Sequence, residues 1–543
     1  CELPSGEGSN NWVLAGHRTA TGRPIVASDP HVAFDAVSWW HEIHLCGGSY
    51  NAVGVSYVGL PGIMLGRNER VAWGITNNIC SQRDLYQERT DPAHPNCFLY
   101  DGRWEPAGQR EEVIRVKGGE PLRKTVRASR NGPIVDDVLP PPARPTGPVS
   151  LKWLGAHHGG WLTALVGMAR ARSAAEFRAA LRPWHVPAFS VVFADVDGAI
   201  GFHAAGRIPV RTVWERGYRP GWDPAHQWQG LIPFEGMPQT ANPPRGWVAT
   251  ANNRPAPNDF PYPLSGTWGE GWRAVRIREM IEANPALSVD DCGRMQQDAF
   301  SRRAAFAVPG LLAVLCASPE PGLRAAVSLL EGWDYRVVPD SAAATIFEVF
   351  FERWYRAVIH ERFQDKTANL LAAGSVSLAA ALLRGEDPAG WLAPGRREQL
   401  IRDTLRAALD WLANRLGPDP AQWQWGKLHI LTLRHLLSGR GDLGQLLDQT
   451  GGPVRGDMST VCNTGMGADY AAGFGATFRL LADLSTSPPG LWAVDSQSES
   501  GHPGSPHYRD QFSLWHQGKY HYLPLDPTAA SRSAVAKLVL EPG

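Results

Sequence analysis

Short apolar runs broken by turn residues dominate the chain from Ser9 to about Met280, and a strand is expected to open on Ser9 and run through Leu14. The dipeptides Thr21-Gly22, Asp101-Gly102 and Asp197-Gly198 stand between such runs as turn signals. From about Ser288 the pattern changes to a helical period. Ser288 with Asp291 forms a capping box, Asp340-Ser341 precedes AAATIFEVFFERWYRAVI, and RREQLIRDTLRAALDWLANRLG ends at Gly417. From about Gly456 the chain returns to strands and turns, in GATFRLLADL and SLWHQGKYHYL. PPPARPTGP at 140–148 reads as a surface loop, and no internal repeat is present. The pattern predicts an α+β protein with a β-rich part at 9–287, a mainly helical part at 288–455, and a return to the first part at 456–543.

The 543 residues are 43% hydrophobic and 20% charged, enough to bury large cores. Lys plus Arg and Asp plus Glu each total 53, so the chain carries no basic footprint for nucleic acid. No apolar run approaches the about 20 residues that span a bilayer. The seven cysteines are scattered without a C-x-x-C pair, which argues against a zinc ribbon or a disulfide framework. Cys1 is followed by loop composition that would not hold a nucleophile rigid.

Familiar catalytic spacings are missing. There is no G-x-S-x-G, and GMGADYAAG at 465–473 has Tyr470 where a dinucleotide fingerprint needs glycine. His41 and His44 lack the four-residue spacing of a helical zinc site, and in a β-like WWHEIHL they face opposite ways. Ser9 offers different chemistry. A serine hydroxyl is a weak nucleophile without a base in reach, but cleavage of Gly8-Ser9 would give Ser9 an α-amine of ordinary pKa about 7.7–8 as its own base. The hydroxyl could also liberate itself by attacking the Gly8 carbonyl, a contortion that Gly6 and Gly8 permit.

A set of segments spread along the chain sharpens that possibility. SNNWVLAGHRTATGRPIVASDPHV at 9–32, VGVSYVGLPGIMLGRNERVAWGITN at 53–77, DLYQER at 84–89, FADVDGAIGFHAAGRIPVR at 193–211, WVATANNRP at 247–255, GDMSTV at 456–461 and SGHPGSPHYRDQFSLW at 500–515 resemble, in order, the β subunit of the penicillin acylase family. The resemblance implies an αββα N-terminal-nucleophile hydrolase sandwich with an additional helical region, residues 1–8 being the tail of a spacer. It also implies an amidohydrolase that cuts the side-chain amide of an N-acyl compound through an ester on Ser9. A β-lactam or an acyl-homoserine lactone would be the substrate, and no organic cofactor is required.

Residue by residue, Ser9 matches the nucleophile, with its own amine as base. His31 in SDPHV matches a position beside that amine, with a role in orienting and tuning it. Asn77 matches an oxyanion donor acting through its backbone N–H, and Asn252 in TANNRP matches the side-chain donor of the same hole. Arg276 in WRAVRIREM aligns with an arginine that supports the asparagine. Val32, Leu65 and Ile79 align with positions where penicillin G acylases present aromatic rings to the acyl group, so aliphatic walls are expected. The family often binds calcium near DLY. Here Asp84 is retained, while Ser81 and Pro263 stand where further aspartates are expected. An α subunit from the same precursor is the implied partner, and a periplasmic or secreted location is the family expectation. The rival from another class is an exported glycan-binding or scaffold protein, motivated by the 22 tryptophans.

Overall fold

A computed structural model describes residues 8–157, 159–213, 217–317 and 319–541. Residues 1–7, Cys1 and most of the expected spacer tail among them, lie outside the described residues. The strand Gly8–Leu14 pairs antiparallel with Ile25–Ala33 on one edge and with Trp247–Thr250 on the other. These strands belong to a ten-stranded sheet that Phe478–Asp483, Gly490–Asp495 and His521–Pro524 extend from the C-terminal part of the chain. A second, seven-stranded antiparallel sheet runs in the order Gln239–Ala241, Ile200–Ala205, Phe189–Asp195, Val71–Asn77, Leu65–Asn68, Tyr50–Tyr57, Trp40–Gly47.

Alternation along the first strand explains its central place. Trp12 and Leu14 join Ile25, Ala27, Ile277 and Ile281 beneath two helices, Trp272–Ala283 and Val289–Gln296. Val13 and Val26 point the other way, into a core shared with Ala72 and Val192, which lie on the same face of the second sheet as Gly74. The sheets therefore face each other. At Gly74 they approach so closely that a Cβ would lie 2.8 Å from the Ser28 Cβ, which is why no side chain is tolerated there. Helices Trp161–Arg170 and Ala174–Ala180 cover the outer side of the second sheet through Leu165, Met168 and Phe177.

Helices Arg302–Ala317, Ala342–His360, Val376–Arg384 and Arg396–Leu416 bury a separate core around Phe347, Phe350, Trp354, Leu383 and Ile401. Ser288 and Asp291 form the capping box, and Ser341 caps the helix that starts at Ala342. The buried Arg303 ties this region to the GDMSTV turn by donating to Glu348 at 2.7 Å and Asp457 at 2.8 Å. SLWHQGKYHYL is not one strand: Phe512–His516 is a helical turn, and only His521–Pro524 is extended. Trp12, Trp73, Trp184, Trp354 and Trp425 are wholly enclosed, which makes them packing residues rather than a sugar-stacking face. No single helix among the described residues is long and apolar enough to cross a membrane.

Candidate active site

Register places the site. Gly8 stands opposite His31 and Ser9 opposite Pro30, while on the other edge the pairing with Trp247–Thr250 begins at Asn11 and Thr250. Two residues past Thr250 the chain is level with Ser9. There Asn252 adopts a left-handed backbone, φ +63°, which asparagine tolerates better than other side-chain-bearing residues. Its Oδ1 accepts the Ser9 N–H at 2.7 Å, and its Nδ2 donates to the Asn77 carbonyl at 2.9 Å. The Ser9 hydroxyl donates to the Gly8 carbonyl oxygen. Ser9 and Asn252 are buried, so their polar groups interact in a medium that strengthens each contact.

The arginine at this asparagine is Arg273, not Arg276. Arg273 Nη2 donates to Asn252 Oδ1 at 2.9 Å, and Nη1 donates to the Ser9 carbonyl at 2.8 Å and to Asn10 Oδ1 at 2.6 Å. Arg276 turns away to Asp298, donating through Nε at 2.7 Å and Nη2 at 3.1 Å. Both arginines lie on Trp272–Ala283, one helical step apart, and the packing separates their tasks. Burial pushes the Arg273 guanidinium down to about 10, against the opposing pull of Asp29, Glu270 and Asp457, so it stays a cation near neutral pH.

His31 is fully buried, with Nε2 2.8 Å from Asp29 Oδ2. Its Nδ1 has no hydrogen-bond partner among the described residues. A Cβ added to Gly8 would lie 3.0 Å from that Nδ1, 3.3 Å from Arg273 Nη2 and 3.5 Å from Asn252 Oδ1. A side chain at position 8 would therefore press on this cluster, with the His31 ring having to give by a few tenths of an ångström. Asp29 also accepts from Asn10 Nδ2 at 2.7 Å and Gln296 Nε2 at 3.2 Å. Burial nevertheless raises its carboxyl to about 8, and burial with Arg273 and Arg479 nearby drives His31 well below the usual histidine value. Asp29, Asn10 and Arg273 are additions that the sequence pattern alone did not single out.

A cavity of about 70 Å³ opens against Gly8, Ser9, His31 and Asn77. Val32, Met64, Leu65 and Ile75 supply aliphatic wall, and Trp40, Tyr57 and Phe189 supply aromatic wall. Two of the three expected aliphatic positions thus face the cavity. Ile79 does not: its backbone is left-handed, φ +59°, past the end of strand Val71–Asn77, which breaks the alternation that would aim it inward. The expected aliphatic walls thus stand at Val32 and Leu65 and not at Ile79, and rings join them, Trp40 and Tyr57 stacking with centroids 4.8 Å apart at the margin.

The calcium expectation meets a different arrangement. Asp84 Oδ2 accepts from Arg211 Nε at 2.8 Å and Trp228 Nε1 at 2.6 Å, the Ser81 hydroxyl donates to the Arg83 carbonyl at 2.5 Å, and Pro263 brings no carboxylate. A calcium ion takes about six to eight oxygen ligands. These residues do not fit one. The histidines of WWHEIHL also part company, His41 pairing with Glu499 at 3.0 Å and His44 with Asn51 at 2.7 Å.

A profile of the penicillin amidase family matches residues 2–532. The chain belongs to the penicillin amidase family, and so to the hydrolases that act on amide bonds. It is 29% identical over 577 residues to the acyl-homoserine lactone acylase QuiP of Pseudomonas aeruginosa, covering 96% of this chain and 67% of that protein. It is 32% identical over 536 residues to the penicillin acylase 2 proenzyme of Pseudomonas sp. (strain SE83), covering 94% of this chain and 66% of the proenzyme. The chain thus spans about two thirds of the length of these curated relatives. Its fold matches the thermostable penicillin G acylase of Alcaligenes faecalis with a TM-score of 0.78 at 20% identity, covering 98% of this chain and 100% of that one.

Proposed function

We propose that this chain is the nucleophile-bearing subunit of an N-terminal-nucleophile acylase, freed by cleavage between Gly8 and Ser9 and paired with an α subunit from the same precursor. The layer order described above, helices outside two facing sheets, supports an αββα sandwich as its framework. The observation that carries the reading is the Ser9 N–H on Asn252 Oδ1 at 2.7 Å, with Asn77 and Ser9 lining one cavity. Nucleophile and oxyanion donors then converge on one point.

In the uncut chain Ser9 N is an amide and has no basic lone pair. Attack of Ser9 Oγ on the Gly8 carbonyl carbon, with the hydroxyl proton passing to Ser9 N as the C–N bond breaks, gives an ester in place of the peptide bond and leaves the nitrogen as an amine. Water opens that ester. Residues 1–8 leave, and the recess bounded by His31 Nδ1, Arg273 Nη2 and Asn252 Oδ1 is exposed beside the new amine. On substrate, the amine takes the Oγ proton as Oγ attacks the acyl carbon, the Asn77 N–H and the Asn252 amide hold the oxyanion, and the amine product departs with the transferred proton. Water then repeats the attack on the ester.

The substrate class is an N-acyl amide whose acyl group enters the cavity, with penicillin-type side-chain amides as the first reading. Val32, Met64, Leu65 and Ile75 along the wall favour a second, the fatty acyl amides of homoserine lactones. The reading carries an exported location as a family expectation, which fractionation of the source cells tests. Its main experiment is expression with the full upstream precursor, intact mass for a chain beginning at Ser9, and a panel of phenylacetyl, phenoxyacetyl, hexanoyl and octanoyl amides of one chromogenic amine. An uncut chain with no hydrolysis of any member rejects it.

A further inference from the structure

We propose that the Arg211 guanidinium serves as a built-in structural cation at the Asp84 position, so that this protein folds, matures and keeps its stability without calcium. Arg211 Nε donates to Asp84 Oδ2 at 2.8 Å, Nη2 to the Ser81 carbonyl at 2.9 Å and Nη1 to the Pro209 carbonyl at 3.3 Å. One planar fork thus gathers a carboxylate and two backbone carbonyls, the oxygen types a hard cation would collect. The Arg211 and Asp84 side chains are 3% and 14% exposed, so this pair is little screened by solvent.

Neighbouring groups reinforce the assignment. Trp228 donates to the same Asp84 oxygen at 2.6 Å and sets its ring 5.8 Å from the guanidinium. Lys152 stands directly across from Asp84 in the antiparallel pairing of Val149–Trp153 with Arg83–Gln87, its ammonium held by Gln227 at 2.9 Å. Two cations already face one carboxylate. A divalent ion brought there would meet repulsion, and Ser81 and Pro263 remove the negative charge that could offset it.

The brace also reaches the reaction centre. Ser81 N donates to the Ser265 carbonyl at 2.7 Å, and Cys80 bridges to Gly266, so the Arg211 clamp fixes the segment that follows Asn77 against the loop that follows Asn252. A fixed cation in this place would hold both oxyanion residues in register without an exchangeable ion.

The inference stands apart from the acylase reading because its readout is thermal and compositional. The complete protein, co-expressed with its upstream precursor segment, is measured for metal content by atomic emission and for Tm with excess calcium or EGTA. Less than a tenth of a calcium per chain and the same Tm in both buffers are expected (the content threshold is about one order below stoichiometry). One calcium per chain, or a Tm that falls in EGTA, overturns the proposal. Arg211→Met should lower Tm by several degrees, and adding Ser81→Asp and Pro263→Asp to it should make Tm rise with calcium. If the methionine variant fails to fold, Arg211→Lys serves: a lower Tm that stays indifferent to EGTA supports the proposal, and an unchanged Tm rejects the clamp.

Discussion

Arg273 Nη2 donates to Asn252 Oδ1 at 2.9 Å, so the asparagine that faces Ser9 is oriented by a guanidinium that also grips the Ser9 carbonyl. Its Oδ1 is committed to two donors, the Ser9 N–H and Arg273, and one Nδ2 hydrogen goes to the Asn77 carbonyl, which leaves the second Nδ2 hydrogen to donate. Arg273→Ala should lower kcat by about 10²-fold, near the effect of losing one oxyanion donor, with less change in KM. Arg276→Ala should instead lower stability by about 1.5–3 kcal/mol through the loss of its two charged hydrogen bonds to Asp298, which keeps only Arg336 at 3.5 Å, and leave kcat near normal. Steady-state kinetics and thermal unfolding of the pair decide it. Equal losses of kcat in both would reject the assignment.

Asn252→Ala should reduce kcat about 10²- to 10³-fold, because the amide is most needed when charge develops on the acyl oxygen. The side chain also braces Asn77 and Ser9, so Asn252→Asp is the sharper companion. It keeps the shape while replacing the donor with an acceptor, and it should be at least as impaired. A competent aspartate variant would move the donor role elsewhere.

Ser9→Ala should leave a precursor that is neither cut at Gly8-Ser9 nor active, since both steps draw on one hydroxyl. Intact mass reads the first outcome and amide hydrolysis the second. Maturation of the alanine variant at the same bond would end the self-cleavage reading.

The legible and illegible parts of this molecule differ by the range of the interactions involved. Strand-and-turn signals such as Asp101-Gly102 and the Ser288–Asp291 capping box are local, and the elements beside them are where the pattern puts them. Ser9, His31, Asn77 and Asn252 are far apart in sequence but came with motifs, and the fold brings them to one recess. Arg273 and Arg276 share a helix at a three-residue spacing, so helical phase alone gives both similar access and only the contacts with Asn252 and Asp298 separate them. Ile79 came only with the resemblance to penicillin G acylases, and its own left-handed backbone past the end of Val71–Asn77, which periodicity does not reveal, takes it off the cavity wall. Arg211 lies 127 residues from Asp84, and no local pattern announces such a pair.

Asp29 gives the stability a pH signature. Its carboxyl lies at about 8 in the folded chain against about 4 when unfolded, so the folded state binds more protons throughout that window. Stability contributed by the protonated form is present at low pH and lost as pH rises from about 4 to about 8, by up to about 1.4 kcal/mol per unit. His31, shifted down, acts in the opposite direction below the usual histidine range. Replacing Asp29 by Asn removes the first effect. The wild-type Tm minus the Asp29→Asn Tm should therefore decline from pH 5 to 8 and level off above, and a difference that is flat or rises over that range contradicts the assignment.

The acyl cavity separates Leu65 from Ile79. Leu65 is 2% exposed and lines the wall beside Val32 and Met64, whereas Ile79 is absent from that wall. Leu65→Ala should lengthen the cavity and shift the ratio of kcat/KM for octanoyl over hexanoyl amides upward by about 10-fold or more, since a methylene-sized change in an apolar pocket is worth about 1–3 kcal/mol. The truncation also costs about 2–5 kcal/mol of stability as a buried large-to-small change, so the assay is run well below its Tm. Ile79→Ala should leave the octanoyl-to-hexanoyl ratio within about twofold. Phenylacetyl amides add a further contrast, because Trp40, Tyr57 and Phe189 offer ring contacts that the aliphatic positions do not. A Leu65→Ala ratio equal to wild type, with Ile79→Ala altered instead, would show that the acyl chain follows another path past Ser9.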